Sequence, residues 1–313
     1  ARLFKSPGFI ENLNLYTTGI RDGQNIDYKA FRHSLVPVPP VDEQKAIAEF
    51  LDRRVEQLDS LVKKGQLFVE RLQEYRQALI TQAVTKGLDP NVPMKDSGIP
   101  WLGQIPEHWS VKKIAWRFRR IGSGTTPTSA NGDYYDGDIP WVNTGELRDA
   151  IVTDTAKKIT RRAMMDHSAL KLYPKGSLVL ALYGATIGKL GILGIDATVN
   201  QACCVMTDPV ETDVRFAFYW FLGIRQHLLS MGLGGGQANI SQEIVRQLRM
   251  PAPRVDEQQS IVQYLDAEVG KIDRLVGAYQ EEIDHLNEYR QALITAAVTG
   301  KIDVRQEVQE HAG

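Results

Sequence analysis

Two groups of cations stand beside small polar loops, and their types and spacing suit a polyanion. Lys112, Lys113, Arg117, Arg119 and Arg120 lead into Gly122-Ser123-Gly124-Thr125-Thr126-Pro127-Thr128. Lys157, Lys158, Arg161 and Arg162 lie in a threonine-rich stretch; Tyr134, Tyr135 and Tyr183 border polar loops, and Gln237 and Asn239 sit in a Gly-rich one. Arg and Lys neutralise phosphates, hydroxyls and backbone amides add positioning bonds, and Arg, Gln and Asn read base edges through paired bonds. The phosphate candidates are Arg117, Arg119, Arg120, Lys157, Lys158, Arg161 and Arg162. The base-side candidates are Thr126, Tyr135, Arg148, Tyr183, Thr186, Gln237 and Asn239, with Lys189 beside them. A solvated basic face has the same composition, so the clusters decide nothing alone.

Catalytic and metal chemistry finds no such support. The chain has neither a Walker-type phosphate loop nor a dinucleotide fingerprint at a strand–helix junction. No Ser or Cys sits in a nucleophile elbow, and the six His lack metal-ligand spacing. Gly184-Ala185-Thr186-Ile187-Gly188-Lys189 has the look of a phosphate cradle without its spacing or following Ser/Thr; a tight turn between strands at 178–183 and 190–193 is the expected role. Cys203 and Cys204 are adjacent, which argues against a disulfide between them. No catalytic residue, metal or cofactor is expected. With no apolar run of membrane-spanning length and no signal sequence, a cytoplasmic protein is expected.

The elements that must carry these loops are organised by a repeat. Residues 41–85 and 255–299 align with an offset of 214 and no gap, from Val-Asp-Glu-Gln at the start to Glu-Tyr-Arg-Gln-Ala-Leu-Ile-Thr near the end. Each copy follows prolines, opens on Asp42 or Asp256 as an N-cap, and stops at Gly87 or Gly300. Leu51, Val55, Leu58, Val62, Val69, Leu72 and Leu79 in one copy match Leu265, Val269, Ile272, Val276, Ile283, Leu286 and Leu293 in the other, a coiled-coil seam. Each copy should span roughly 65 Å at 1.5 Å per residue. The two should pair antiparallel, with the Tyr279 ring over Gly65.

Net charge is −1 overall but unevenly spread. Residues 94–254 hold 19 Lys+Arg against 14 Asp+Glu, and residues 255–303 hold 4 against 10, so a basic domain adjoins an acidic rod. Within the domain, strands are expected at Ile139–Val142, Leu178–Tyr183, Leu190–Leu193 and Ala202–Met206, a helix at Val214–Met231, and a turn capped by Ser241. Trp101 and Trp109, among prolines, form its entry. The expected fold is α+β: a mixed α/β domain interposed between two long helices that pair as an antiparallel coiled coil.

The segment Asp96-Ser97-Gly98-Ile99-Pro100-Trp101-Leu102-Gly103-Gln104-Ile105-Pro106-Glu107-His108-Trp109 brings a family into view. So do Gly124-Thr125-Thr126-Pro127, Gly184 to Lys189, Asn200-Gln201, Asn239-Ile240-Ser241 and the paired helix ends. Over essentially its whole length the chain resembles the DNA specificity subunit of type I restriction–modification systems. The resemblance implies a non-catalytic subunit whose target-recognition domain reads one half of a split site in double-stranded DNA. Its implied partners are type I methyltransferase subunits and, through the complex, the restriction (translocase/endonuclease) subunit, with no membrane. The layout then reads as residues 1–40, the C-terminal remnant of a first target-recognition domain; 41–87, the first spacer helix; 88–254, a complete domain; 255–303, the second helix; and 304–313, a tail. The remnant is inferred because Gly23-Gln24-Asn25-Ile26 echoes Gly236-Gln237-Ala238-Asn239-Ile240. One domain alone should read a single half-site; two associated chains would instead face an interrupted palindrome. A coiled-coil scaffold whose domain binds protein is the competing reading.

Overall fold

The computed structural model describes residues 3–5, 7–18, 25–232 and 239–304. In chain order its opening elements are α1 (Pro7–Leu13), β1 (Thr17–Thr18), β2 (Asn25–Ile26), α2 (Tyr28–Phe31) and α3 (Val41–Lys86). Then come β3 (Met94–Asp96), β4 (Gln104–Pro106), β5 (Ser110–Lys113), α4 (Ile114–Arg117), β6 (Phe118–Gly122), β7 (Tyr135–Val142), β8 (Ala150–Val152), β9 (Lys158–Ile159) and α5 (Arg161–Asp166). The remainder is β10 (Leu178–Ala181), β11 (Leu190–Leu193), β12 (Thr198–Val199), β13 (Cys203–Pro209), α6 (Val214–Gly223), α7 (Arg225–Gly232), α8 (Gln242–Gln247), β14 (Arg249–Ala252) and α9 (Val255–Val298). Contacts divide the chain into two units, Ala1–Gln73 with Ile272–Gly313, and Glu74–Lys271.

In the first unit α3 and α9 pair antiparallel. Gly65 lies against Ile283, Phe68 meets Tyr279 with ring centroids 4.6 Å apart, and Asp59 binds Arg290. Phe50 and Leu51 share a cluster with Ala297. The partner number falls as the number on α3 rises, which is the mark of antiparallel packing. Leu51, Leu58, Val62, Val69, Leu265, Val269, Ile272 and Ile283 are buried, and the other expected seam residues are half-buried. Over Gly65, however, lies Ile283 and not Tyr279. The Tyr279 ring rests on Phe68, where an aromatic partner offers more contact area than a bare backbone.

The caps also differ from expectation. Helix α3 starts at Val41 and α9 at Val255, so Asp42 and Asp256 lie inside the first turn, where a carboxylate complements the helix dipole. The repeated glutamine closes each start instead. Gln44 Nε2 donates to the Pro39 carbonyl at 2.9 Å, and Gln258 Nε2 to that of Pro253 at 2.8 Å. At the far ends Gly87 and Gly300 have φ of 76° and 72°, the left-handed conformation expected of a helix-stopping glycine.

The second unit is built on a five-stranded sheet in the order β6-β13-β10-β11-β8, antiparallel except where β11 meets β8. Both faces are buried, so β10 is apolar at every position and β13 is apolar from Cys203 to Met206. Leu178, Leu180, Cys204 and Met206 face one core, with α6 and the Ile80–Val84 and Ile261–Val269 stretches of the long helices. Val179, Ala181, Cys203 and Val205 face the other, with Val142, Val199 and Tyr173. The adjacent cysteines thus point to opposite sides of one strand, both free, and burial pushes each thiol up to about 12. A second sheet, β12-β7-β9, covers the latter face. The expected Val214–Met231 helix is two helices, because the Gly223 carbonyl is bonded by Gln77 Nε2 at 3.2 Å and Thr81 Oγ1 at 3.1 Å.

Candidate nucleic-acid interface

Four segments converge at one end of the five-stranded sheet. Strand β10 leaves there through Leu182, β13 enters from Asn200–Ala202, and β6 exits into residues 123–128. Leu182 N–H donates to the Ala202 carbonyl at 2.8 Å, and the Ile240 N–H to that of Leu182 at 2.8 Å. Tyr183 and Asn239 form an antiparallel bridge. Gly124 comes so close to strand β12 that a Cβ there would sit 1.8 Å from the Val199 carbonyl oxygen, so only glycine fits.

The 123–128 loop is pinned by three buried or half-buried rings. Tyr173 Oη donates to the Ser123 carbonyl at 2.8 Å, Trp141 Nε1 to Thr125 at 3.2 Å, and Tyr135 Oη to Pro127 at 2.6 Å. Burial raises the Tyr173 pKa, and the nearby Cys204 adds to the rise, so its hydroxyl stays a donor. Thr126 is exposed at the loop tip, where its hydroxyl donates to Gln201 Oε1 at 2.6 Å. Gln201 is itself exposed. Gln201 was carried in the Asn200-Gln201 motif yet absent from the candidate residues; its exposure beside Thr126 brings it in.

Residues 184–189 are the expected tight turn between β10 and β11. Gly184 and Gly188 have φ of 80° and 77°, and Lys189 N–H closes on the Thr186 carbonyl at 2.9 Å. Tyr183 and Thr186 are half-buried and Lys189 exposed. Lys189 Nζ lies 3.2 Å from Asp149, which also takes two bonds from Arg225. Burial pushes the Asp149 carboxyl up, but the Arg225 hydrogen bonds and charge, the Leu190 amide and Lys189 outweigh it, and the net shift is downward. Asp149 and Arg225 were not singled out from sequence. They are 76 residues apart, and no local spacing couples them.

The basic candidates separate. Arg117 is only 4% exposed; its guanidinium donates to the Glu211 carbonyl and lies 3.7 Å from that carboxylate, while its Nε has no partner. Burial lowers its pKa, which the Glu211 charge partly offsets. It braces the turn after β13 and is withdrawn from the surface where a phosphate contact was expected. Arg120 binds Asp208 at 2.7 Å, Lys158 lies 3.5 Å from Asp154, and Arg162 bonds Asp133 at 2.7 Å. Arg119, Arg148, Lys157 and Arg161 are exposed and form no ion pair among the described residues. The 157–162 group spans β9 and the start of α5, and β9 pairs with β7 at Tyr135↔Ile159, one strand from the Tyr135–Pro127 contact. Gln237 lies outside the described residues, as do Gly23, Gln24 and Gly236 of the internal echo. Among the described residues no cluster of His, Cys, Asp or Glu could hold a metal, and no helix is long and apolar enough to cross a membrane.

Known proteins resemble this chain. The chain is 24% identical over 286 residues to the putative type I restriction enzyme MjaX specificity subunit of Methanocaldococcus jannaschii, covering 90% of this chain and 62% of that protein. It is 23% identical over 309 residues to the EcoBI specificity subunit of Escherichia coli, covering 95% and 64%. The chain thus spans less than two thirds of the length of these relatives. A solved chain from work on complex assembly and conformational transition of the type I R-M system superposes with a TM-score of 0.74 at 17% identity, covering 96% of this chain and 70% of that one. The HsdS subunit from Thermoanaerobacter tengcongensis gives 0.53 at 16% identity, covering 96% and 69%. At such identities the likeness shows a shared fold. Residues 106–283, more than half the chain, match the model of the type I restriction modification DNA specificity domain, and the chain belongs to that family.

Proposed function

We propose that this chain is the sequence-reading subunit of a type I restriction–modification complex and reads one half of a split target in double-stranded DNA. The observation that carries the reading is the convergence of Thr126, Gln201, Tyr183, Thr186, Lys189 and Asn239 at one sheet end. Hydroxyl, amide and aromatic groups there have the chemistry to read base edges, and Lys157 and Arg161 supply charges free to meet phosphate. In this reading the chain is cytoplasmic and uses no cofactor of its own. Methyl transfer and ATP-driven cleavage belong to methyltransferase and restriction subunits docked on it. The exposed Leu61, Leu67, Phe68 and Leu275 on the paired helices support a protein partner along the rod.

Equilibrium binding of the full chain to duplex DNA, titrated against salt, tests this. Log affinity should fall linearly with log salt. Lys157→Ala and Arg161→Ala should each weaken all sequences alike and lower the slope by about one. Thr186→Val should instead change the preference at particular base pairs. Binding that ignores salt and these substitutions would support the scaffold reading in its place.

A further inference from the structure

Asp149 is one of four described non-glycine residues with positive φ, at 58°. Aspartate tolerates this left-handed backbone, but such a residue persists only where its surroundings hold it. Here they do. Its N–H donates to the Leu190 carbonyl at 2.8 Å, and its carboxylate accepts the Leu190 N–H at 3.0 Å. Arg225, the first residue of α7, grips the same carboxylate with both terminal nitrogens, and its Nε donates to the Gly188 carbonyl at 3.0 Å. Gly188 also packs on that side chain, since a Cβ there would lie 3.4 Å from Arg225 Cγ. Both partners of the pair are mostly buried, with side-chain exposures of 22% and 18%.

One guanidinium therefore ties the last turn of residues 184–189 to α7, and one carboxylate ties it to the start of β8. Neither group is bonded to Tyr183, Thr186 or Asn239 among the described residues. The same carboxylate also holds Lys189, so two cations share one anion beneath the turn. We infer that Asp149 and Arg225 are a positioning pair for sequence discrimination: they set the 183–189 turn and restrain Lys189, so that Tyr183 and Thr186 meet only matching base pairs. This rests on the DNA-reading function proposed above.

The pair leaves a signature that a merely structural role does not. Asp149→Asn keeps the size and the tolerance of positive φ but removes the charge, leaving Arg225 and Lys189 without their anion. Affinity for arbitrary duplex should then hold or rise, with a salt slope steeper by up to about one, while discrimination at some base pairs falls at least about tenfold, the loss of a single base contact. Arg225→Lys keeps the charge but not the fork that spans Asp149 and Gly188, and should relax the same base pairs.

Selection of the full chain and both variants against a duplex pool of randomised sequence provides the test, together with amide exchange in the absence of DNA. The expected result is faster exchange at Gly188–Leu190, a retained cooperative unfolding transition with a lower midpoint, and lost preference at a subset of the base pairs that the parent chain selects. Retention of every preference by both variants would overturn the inference, as would a proportional loss at all positions or unchanged exchange at Gly188–Leu190. A parent chain that enriches no sequence would overturn the DNA-reading function itself, and this role with it.

Discussion

Replacing Gly65 by leucine should loosen the α3–α9 pair, and the structure gives the size of the effect. A Cβ at Gly65 would lie 3.1 Å from Ile283 Cγ1 and 3.3 Å from its Cδ1. Alanine asks the end of a flexible side chain to yield by a few tenths of an ångström, and it gains about 1 kcal/mol of helix propensity over glycine. The two nearly cancel, so Gly65→Ala should stay within about 1 kcal/mol of the parent. Leucine drives three further carbons into the same space and should cost about 1–3 kcal/mol by overpacking. Ile283→Ala, which empties a buried site, should cost about 2–5 kcal/mol alone. Combined, Gly65→Leu fills part of that space, and the double variant should be more stable than the sum of the singles by about 1–2 kcal/mol. Urea unfolding of the full chain, followed by far-ultraviolet circular dichroism, measures all four. A leucine variant as stable as the alanine one, or two effects that add within about 0.5 kcal/mol, would refute the packing argument.

Three further outcomes are expected. Gln44→Ala should cost about 1 kcal/mol in the same unfolding assay by freeing the Pro39 carbonyl, and Gln258→Ala about 2–3 kcal/mol, because Gln258 is buried and its loss also leaves the Glu211 carbonyl and the Asp213 N–H without their partner. The folded pKa of Asp149 lies below its unfolded value, so its stabilisation is present above the ordinary carboxylate range of about 4 and is lost as pH falls through the lower folded value. Asp149→Asn should therefore flatten the acid limb of stability below about pH 4, and an unchanged limb would contradict it. Cys203 and Cys204, both held near a pKa of about 12 by burial, should resist a thiol reagent at pH 8 until the chain is unfolded; rapid labelling of the folded chain would count against the described core.

The paired helices were legible in the sequence because their information is local and repeated. A 3-4 apolar spacing, a proline before each start and a glycine after each end specify length and seam without reference to distant residues. Strands β10, β11 and the Cys203–Met206 part of β13 were legible for a related reason: burial on both faces gives a continuous apolar run, and glycines stand beside β10 and β11. Strand β6 was not, since Arg119 and Arg120 interrupt any apolar run on this edge strand. The break at Gly223 was equally hidden, because its cause is a pair of side chains on α3, at Gln77 and Thr81.

For the site, residue types suggested a polyanion partner without deciding it, and only tertiary structure sorted the candidates. Arg117 and Arg119 look alike in the sequence, two residues apart, yet one is buried against Glu211 and the other is exposed. Tyr135, a base-side candidate, is half-buried, and its hydroxyl donates to the Pro127 carbonyl, a contact no local pattern showed. The Thr126–Gln201 and Asp149–Arg225 pairs join residues 75 and 76 positions apart. Periodicity and capping are short-range properties that a chain displays residue by residue. Which donor meets which acceptor across a sheet end depends on strand order and register, and these are decided only when the whole core packs.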